Sequence, residues 1–135
     1  MKINGGCHCG NIEYTAKIDN QKVALCHCTD CQQMSGAPFR GVVFASEDDV
    51  TLKGTIKDYV KQSADSGTPR AQGFCPECGT HIYATSVGDE PKVYMFRIGT
   101  IEQRDQLTPT LEIWCDSRQS WVKPVYGANQ IARQP

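Results

Sequence analysis

Residues 75–79 read Cys-Pro-Glu-Cys-Gly, a spacing typical of a zinc knuckle. In this kind of turn the two cysteine sulfurs converge on one metal, and backbone N–H groups point at the thiolates. Gly79 suits the turn because glycine adopts a positive φ without steric cost. A knuckle supplies only two ligands, so a four-coordinate metal needs two more from elsewhere in the chain.

Two further cysteine clusters lie nearer the start of the chain. The first is Cys7-His8-Cys9, in which an extended backbone places both sulfurs on one face and the histidine on the other. We therefore predict that this pair completes a closed, structural zinc site with the knuckle. That site, the four-cysteine cluster, consists of Cys7, Cys9, Cys75 and Cys78.

The second cluster is Cys26-His27-Cys28-Thr29-Asp30-Cys31, an extended pair with a third cysteine three residues on. This is the pattern expected where a strand ends in a helical turn. Three ligands from one short segment would cap one face of a tetrahedron and leave the fourth position open, as in catalytic zinc sites. We call Cys26, Cys28 and Cys31 the trio and predict that it holds a second, catalytic zinc.

Spacing alone leaves other assignments open. The knuckle could pair with Cys26 and Cys28, which would make Cys7, Cys9 and Cys31 the second group. We favour the contiguous trio because three neighbouring ligands need no long-range coincidence. Histidine also binds zinc, but two of the three histidines alternate with cysteines and are expected to point away from the sulfurs. Iron is a further candidate for four cysteines. The histidines are His8, His27 and His81.

The cysteines are predicted to be reduced. No apolar stretch precedes Cys7, so we expect no signal peptide and a cytoplasmic protein whose clustered thiols bind metal rather than form disulfides. No apolar run approaches the length of a membrane span. Cys115 stands apart from the clusters and is interpreted as a small buried apolar residue, with a reactive thiol as the alternative.

The composition indicates one domain over residues 1–135 and argues against nucleic acid as a partner. The chain is long enough for a single hydrophobic core. Its 14 basic and 15 acidic residues lack the positive excess that a phosphate backbone demands. The sequence does not predict an oligomeric state.

Short β-branched or aromatic runs separated by turn residues predict an all-β domain of small antiparallel sheets. The one helical candidate is Thr29 to Ser35, with Thr29 as a possible N-cap. The loop Ser63 to Pro69 could flank a site, and the tail after Pro124 is expected to be irregular. The predicted strands are Ile12 to Ala16, Val23 to Cys26, Phe39 to Ala45, Val50 to Lys53, Ile56 to Lys61, Ala71 to Phe74, His81 to Thr85 and Val93 to Ile98.

Four sequence motifs together make the chain resemble the glutathione-dependent formaldehyde-activating enzyme family, also called the CENP-V/GFA domain. They are CHCG at 7–10, CHCTDC at 26–31, Gly36, and FCPECGT at 74–80. The resemblance implies an Mss4-like all-β fold organised around two zincs per chain. It also implies the same division of ligands, with a structural zinc on the four-cysteine cluster and a catalytic zinc on the trio.

The activity implied by the resemblance is a carbon–sulfur lyase-type step that interconverts formaldehyde plus glutathione with S-hydroxymethylglutathione. A zinc with an open position would bind the substrate thiol and lower its pKa, or would polarise the carbonyl oxygen. Three thiolate ligands weaken its Lewis acidity, which favours the thiol role. The partners are then a small thiol such as glutathione and a small aldehyde.

A thiol such as glutathione carries two carboxylates, so an arginine is expected near the open zinc. Arg40 is the predicted contact, and Arg70, Arg97 and Arg118 are further candidates. Asp30 would orient the ligand turn or transfer a proton.

Two other functions stay open at this point. One is a zinc-containing module that binds a thiol or a protein without turnover. The other is methionine sulfoxide reduction, which would need Cys115 as its reactive cysteine.

Overall fold

The computed structural model describes residues 1–62 and 67–135, and within them the chain forms eleven β-strands and one α-helix. None of the helices in these residues is long and apolar enough to cross a membrane. The strands are β1 Lys2–Gly6, β2 Glu13–Lys17, β3 Val23–Cys26, β4 Arg40–Ser46, β5 Val50–Lys53, β6 Lys57–Lys61, β7 Arg70–Phe74, β8 His81–Ser86, β9 Val93–Arg97, β10 Leu111–Ile113 and β11 Asn129–Gln130. The helix α1 is Thr29–Ser35, and short 3-10 turns cover Glu47–Asp49, Ile98–Thr100, Arg104–Gln106 and Cys115–Ser117.

The strands form two sheets, so the predicted all-β fold with one short helix is confirmed. A three-stranded antiparallel sheet has the order β1-β2-β5, and an eight-stranded sheet has the order β11-β10-β3-β4-β9-β8-β7-β6. The large sheet is mixed, because β10 runs parallel to both β3 and β11. The chain reaches β10 by a long connection rather than a hairpin, and such a connection permits a parallel pairing.

The large sheet has two different faces because side chains alternate along each strand. One face packs on the small sheet. Val43 and Phe96 lie in this core, and the Phe96 ring stacks on Tyr14 of β2 with a centroid separation of 4.2 Å. The residues next to them on the same two strands, Val42 and Arg97, line a cavity on the opposite face. The core therefore lies between the sheets, and the cavity lies outside them.

Helix α1 begins one residue after its cap, and that cap is a cysteine. Cys28 has extended backbone angles, and its Sγ accepts the backbone N–H of Cys31 at 3.2 Å. The predicted N-cap, Thr29, is wrong because Thr29 is already helical and the sulfur takes the acceptor position before it. The helix ends at Gly36, whose φ of 67° lets its N–H bond the carbonyl of Gln32 at 2.9 Å.

Candidate metal centre and cavity

The four-cysteine cluster lies where the turn after β1 meets the turn between β7 and β8. Its four sulfurs lie within 4.8 Å of one another. The Sγ atoms of Cys7 and Cys9 are 3.6 Å apart, and those of Cys9 and Cys75 are 3.7 Å apart. A tetrahedral zinc with bonds of about 2.3 Å requires sulfurs roughly 3.8 Å apart. All eight cysteines of the chain are free, so these sulfurs fit a metal.

Hydrogen-bond donors aim at the sulfurs of this cluster. The backbone N–H of Ile12 bonds Cys7 Sγ at 3.1 Å, and Thr80 Oγ1 lies 3.2 Å from Cys78 Sγ. The Thr80 hydroxyl and backbone N–H lower the pKa of the Cys78 thiol to about 5. Gly79 has a φ of 78°, as the predicted knuckle turn requires. The cluster is thus built to hold thiolates.

This cluster joins the two sheets. Cys7 follows β1 of the small sheet, whereas Cys75 follows β7 of the large sheet. Cys75 is fully buried and belongs to the hydrophobic core. A metal on these ligands would therefore fasten the small sheet to the large one at the edge of the core.

The trio gathers at the end of β3. Cys26 is the last residue of that strand, Cys28 caps α1, and Cys31 lies in the first helical turn. All three are buried, and their sulfurs lie within 4.8 Å of one another. Among the described residues, the sulfurs therefore group as the contiguous assignment predicts, and the histidines belong to neither group.

The three trio thiols cannot all carry a negative charge without a nearby cation. Hydrogen bonds from the Cys26 and Cys28 thiols lower the pKa of Cys31 to about 2, and the Arg40 guanidinium adds to this effect. The same contacts with Cys28 and Cys31, together with burial, raise the pKa of Cys26. One cation among the sulfurs would allow all three to ionise, so this donor set fits zinc.

The trio forms part of the wall of a cavity of about 410 Å³. Five cationic side chains line the same cavity, and no acidic side chain does so among the described residues. Residues 63–66 of the predicted flanking loop lie outside the described residues, but Thr68 lines the cavity. The cavity thus offers sulfur ligands in an electropositive setting. The cationic side chains are Lys22, Arg40, Lys61, Arg70 and Arg97.

The arginines predicted from the sequence take different positions. Arg40 and Arg97 are both buried, and their guanidinium groups donate to the same atom, Gln72 Oε1, at 3.2 and 2.9 Å. Arg70 is partly buried on the same wall and donates to the sulfur of Met95 at 3.2 Å. Arg118 does not line the cavity and lies 3.5 Å from the carboxylate of Glu112.

Asp30 does not cap the helix. Its carboxylate forms an ion pair with Lys61 at 2.9 Å and so connects the first turn of α1 to β6. Of the two roles predicted for Asp30, this contact fits the one that orients the ligand turn.

A buried polar pair, His27 and Glu112, lies next to the trio segment and stabilises it. His27 points away from the sulfurs, as predicted, but it is fully buried, and its Nε2 lies 2.8 Å from Glu112 Oε1. Glu112 also accepts hydrogen bonds from the Val125 backbone at 2.8 Å and from Gln130 at 2.7 Å. Burial opposes ionisation of Glu112, but these hydrogen bonds outweigh it and lower its pKa. The pair connects the trio segment to the C-terminal part of the chain.

Replacing Glu112 with alanine is expected to lower the free energy of unfolding by about 3–5 kcal/mol, since it breaks a fully buried pair with His27 and leaves the partly buried donors of Val125 and Gln130 without their acceptor. The midpoint of guanidinium unfolding of the metal-loaded protein measures this loss. Glu102→Ala is the matched control, because Glu102 is exposed and its carboxylate accepts a hydrogen bond from the Asn4 side chain without any buried partner among the described residues. A Glu112→Ala midpoint as high as that of the control would contradict the supporting role.

Two polar residues of the site were not predicted from the sequence. Glu112 had a detectable signal, because a carboxylate between Leu111 and Ile113 interrupts an apolar run. Gln72 had no such signal in the sequence, since an isolated glutamine in a strand is ordinary.

Cys115 lies outside both cysteine groups, is half-buried, and has Arg118 Nη2 at 3.3 Å from its sulfur.

Comparison with known proteins identifies a family, a curated relative and a solved structure that are similar to this chain. The family described as glutathione-dependent formaldehyde-activating enzyme matches residues 2–117. An uncharacterized lyase of Schizosaccharomyces pombe is 28% identical over 82 residues, which are 61% of this chain and 56% of that protein. The chain thus spans little more than half the length of this relative. A crystal structure of a Rhodobacter sphaeroides protein has the same fold, with a TM-score of 0.56 at 17% identity over 95% of this chain and 98% of that one.

Proposed function

Because this chain belongs to the glutathione-dependent formaldehyde-activating enzyme family, we propose that it is a zinc-dependent enzyme of the carbon–sulfur lyase type. Its substrate is the adduct of a small thiol with a small aldehyde, as in S-hydroxymethylglutathione. The observation that carries the proposal is the position of the trio, whose three cysteines line an electropositive cavity. The free cysteines agree with a reducing compartment such as the cytoplasm, where we place the protein.

Cys26, Cys28 and Cys31 would hold the catalytic zinc, and the four-cysteine cluster would hold the structural one. The catalytic zinc supplies a Lewis acid that favours the ionised form of a thiol at neutral pH. In the synthetic direction a C–S bond forms between the thiolate sulfur and the aldehyde carbon while the C=O π bond breaks, and the aldehyde oxygen takes that electron pair and gains a proton. In the lyase direction the same C–S bond breaks and the hydroxyl proton leaves.

The cavity wall would orient the substrate. We propose that Arg40 contacts a carboxylate of the thiol, with Arg70 and Lys61 on the same wall as further partners. Arginine suits this role because its planar fork binds carboxylates bidentately. A cavity of about 410 Å³ falls within the range of ligand pockets, roughly 300–1,000 Å³. Its apolar members, including Val42 and Trp114, would exclude water from the reacting atoms.

The test is magnetisation exchange between ¹³C-formaldehyde hydrate and S-hydroxymethylglutathione, measured by NMR with and without the zinc-loaded protein. We expect faster exchange than in buffer alone, in proportion to protein concentration, and about two zincs per chain by metal analysis. Thiol binding without faster exchange would replace this proposal with the binding module. Metal analysis that returns one zinc or none would contradict the two-site assignment.

A further inference from the structure

Two cations lie buried beside the trio. Arg40 is 7% exposed and Arg97 is 8% exposed. Arg40 lies on β4 opposite Cys26 in the strand register, and Arg97 lies opposite Val42 on the neighbouring strand β9. Gln72 of β7 accepts a hydrogen bond from each, so the two guanidinium groups lie side by side against one neutral oxygen.

Neither guanidinium has a carboxylate partner within residues 1–62 and 67–135, where the ion pairs involve other side chains. Their Nε atoms are also buried without a hydrogen-bond partner. Burial and the neighbouring Arg40 lower the pKa of Arg97 to about 9, while Cys31 and Cys26 oppose that shift. A buried charge is costly unless it is compensated, so the compensation is expected from the trio and its ligand.

The charges of the site do not cancel without a ligand. Three ionised cysteines and one divalent cation leave a single negative charge, whereas Arg40 and Arg97 bring two positive charges. The group therefore has one positive charge in excess. A neutral fourth donor, such as water or a carbonyl oxygen, would leave that excess in place, but a thiolate would cancel it.

We propose that Arg40 and Arg97, held together by Gln72, supply the counter-charge for the ionised sulfur of the substrate, so that the cavity takes its thiol as the thiolate. This inference rests on the proposed function and decides a point that the sequence leaves open, namely whether the thiol or the carbonyl is the group recruited. On binding, the S–H bond breaks, the proton passes to the solvent, and the sulfur keeps the electron pair.

The test is a calorimetric titration of the zinc-loaded protein with 2-mercaptoethanol, which carries no carboxylate. Buffers of different ionisation enthalpy also give the number of protons released. We expect about one proton per thiol bound by the wild type, and a loss of affinity of roughly tenfold or more in Arg97→Gln. Lys57→Gln is the matched control, since it removes an exposed and screened cation that does not line the cavity.

A second variant separates charge balance from a merely structural role. Gln72→Glu places an anion between the two arginines with almost no change of shape. We expect its thermal midpoint to equal or exceed that of the wild type while its affinity for 2-mercaptoethanol falls roughly tenfold or more. A structural role alone would leave the thiol affinity unchanged in this variant.

Three results would overturn the inference. They are wild-type affinity for 2-mercaptoethanol in Arg97→Gln or in Gln72→Glu, a loss in Arg97→Gln that is confined to glutathione, which would assign Arg97 to a carboxylate, and a wild type that binds no thiol. Because this experiment measures binding and proton release, it tests the inference independently of turnover. Thiolate binding without turnover would contradict the proposed function and support the inference. Turnover with unchanged thiol affinity in the arginine variant would support the proposed function and contradict the inference.

Discussion

Replacement of Cys78 by serine is expected to leave the protein unfolded at room temperature. The four-cysteine cluster joins the small sheet to the large one, and Cys75 of the same cluster belongs to the hydrophobic core. The free energy of binding a structural zinc, about 10–16 kcal/mol, is also folding free energy. It matches or exceeds the whole stability of an ordinary domain, about 5–15 kcal/mol. The loss of one of the four ligands is therefore expected to weaken zinc binding enough to remove the stability of the fold.

Circular dichroism and gel filtration in the presence of excess zinc measure this effect. Cys115→Ser is the matched control, because it removes a thiol that lies outside both cysteine groups and is expected to leave the fold intact. A Cys78→Ser variant with the elution volume and thermal stability of the wild type would show that the cluster does not hold the sheets together.

Replacement of Cys28 by serine is expected to have the opposite pattern, with fold retained and activity lost. Serine is a good N-cap, so its hydroxyl can accept the N–H of Cys31 as the sulfur does, and α1 keeps its start. The trio is left with two ligands and should release its metal. Since a Lewis acid is worth several kcal/mol to a transition state and each 1.36 kcal/mol is tenfold in rate, we expect a loss of about 10³-fold or more.

Metal analysis and the formaldehyde exchange rate, measured on the same preparation, test this second prediction. The zinc content should fall from about two to about one per chain, with an unchanged circular dichroism spectrum. Cys115→Ser again serves as the control and should keep both zincs and full exchange, which would also exclude Cys115 as the reactive cysteine of a sulfoxide reductase. Unfolding of Cys28→Ser would mean that the trio is structural.

Strands were predictable wherever their side chains supplied a pattern. Each of the eight predicted strands overlaps one of β2 to β9, because β-branched and aromatic residues lie between turn residues there. β1 was missed since Asn4-Gly5-Gly6 has neither periodicity nor β propensity. β10 and β11 were missed because they have three and two residues. Backbone pairing holds them in place rather than their own composition, since β10 pairs with β3 and β11 pairs with β10.

The part of the site that comes from one short segment of the sequence was predictable. The trio needs only one strand end and one helical turn, so spacing suffices to group its sulfurs. Gln72 was not predictable, because it meets Arg40 and Arg97 only through the order β4-β9-β8-β7 in the sheet. No residue pattern within a strand encodes that order. The single domain over residues 1–135 and the carboxylate contact of Arg40 stay predictions.

The different spans of the two cysteine groups have a consequence for the order in which the two proposed zinc sites would fill. The trio lies within six residues and can chelate an ion before the chain folds. The four-cysteine cluster must first bring together residues 66 positions apart, which carries a large loop-closure entropy. Under limiting zinc, refolding should fill the trio first, and the metal that secures the fold should arrive last. The order of loading would then be the reverse of the order of importance for stability.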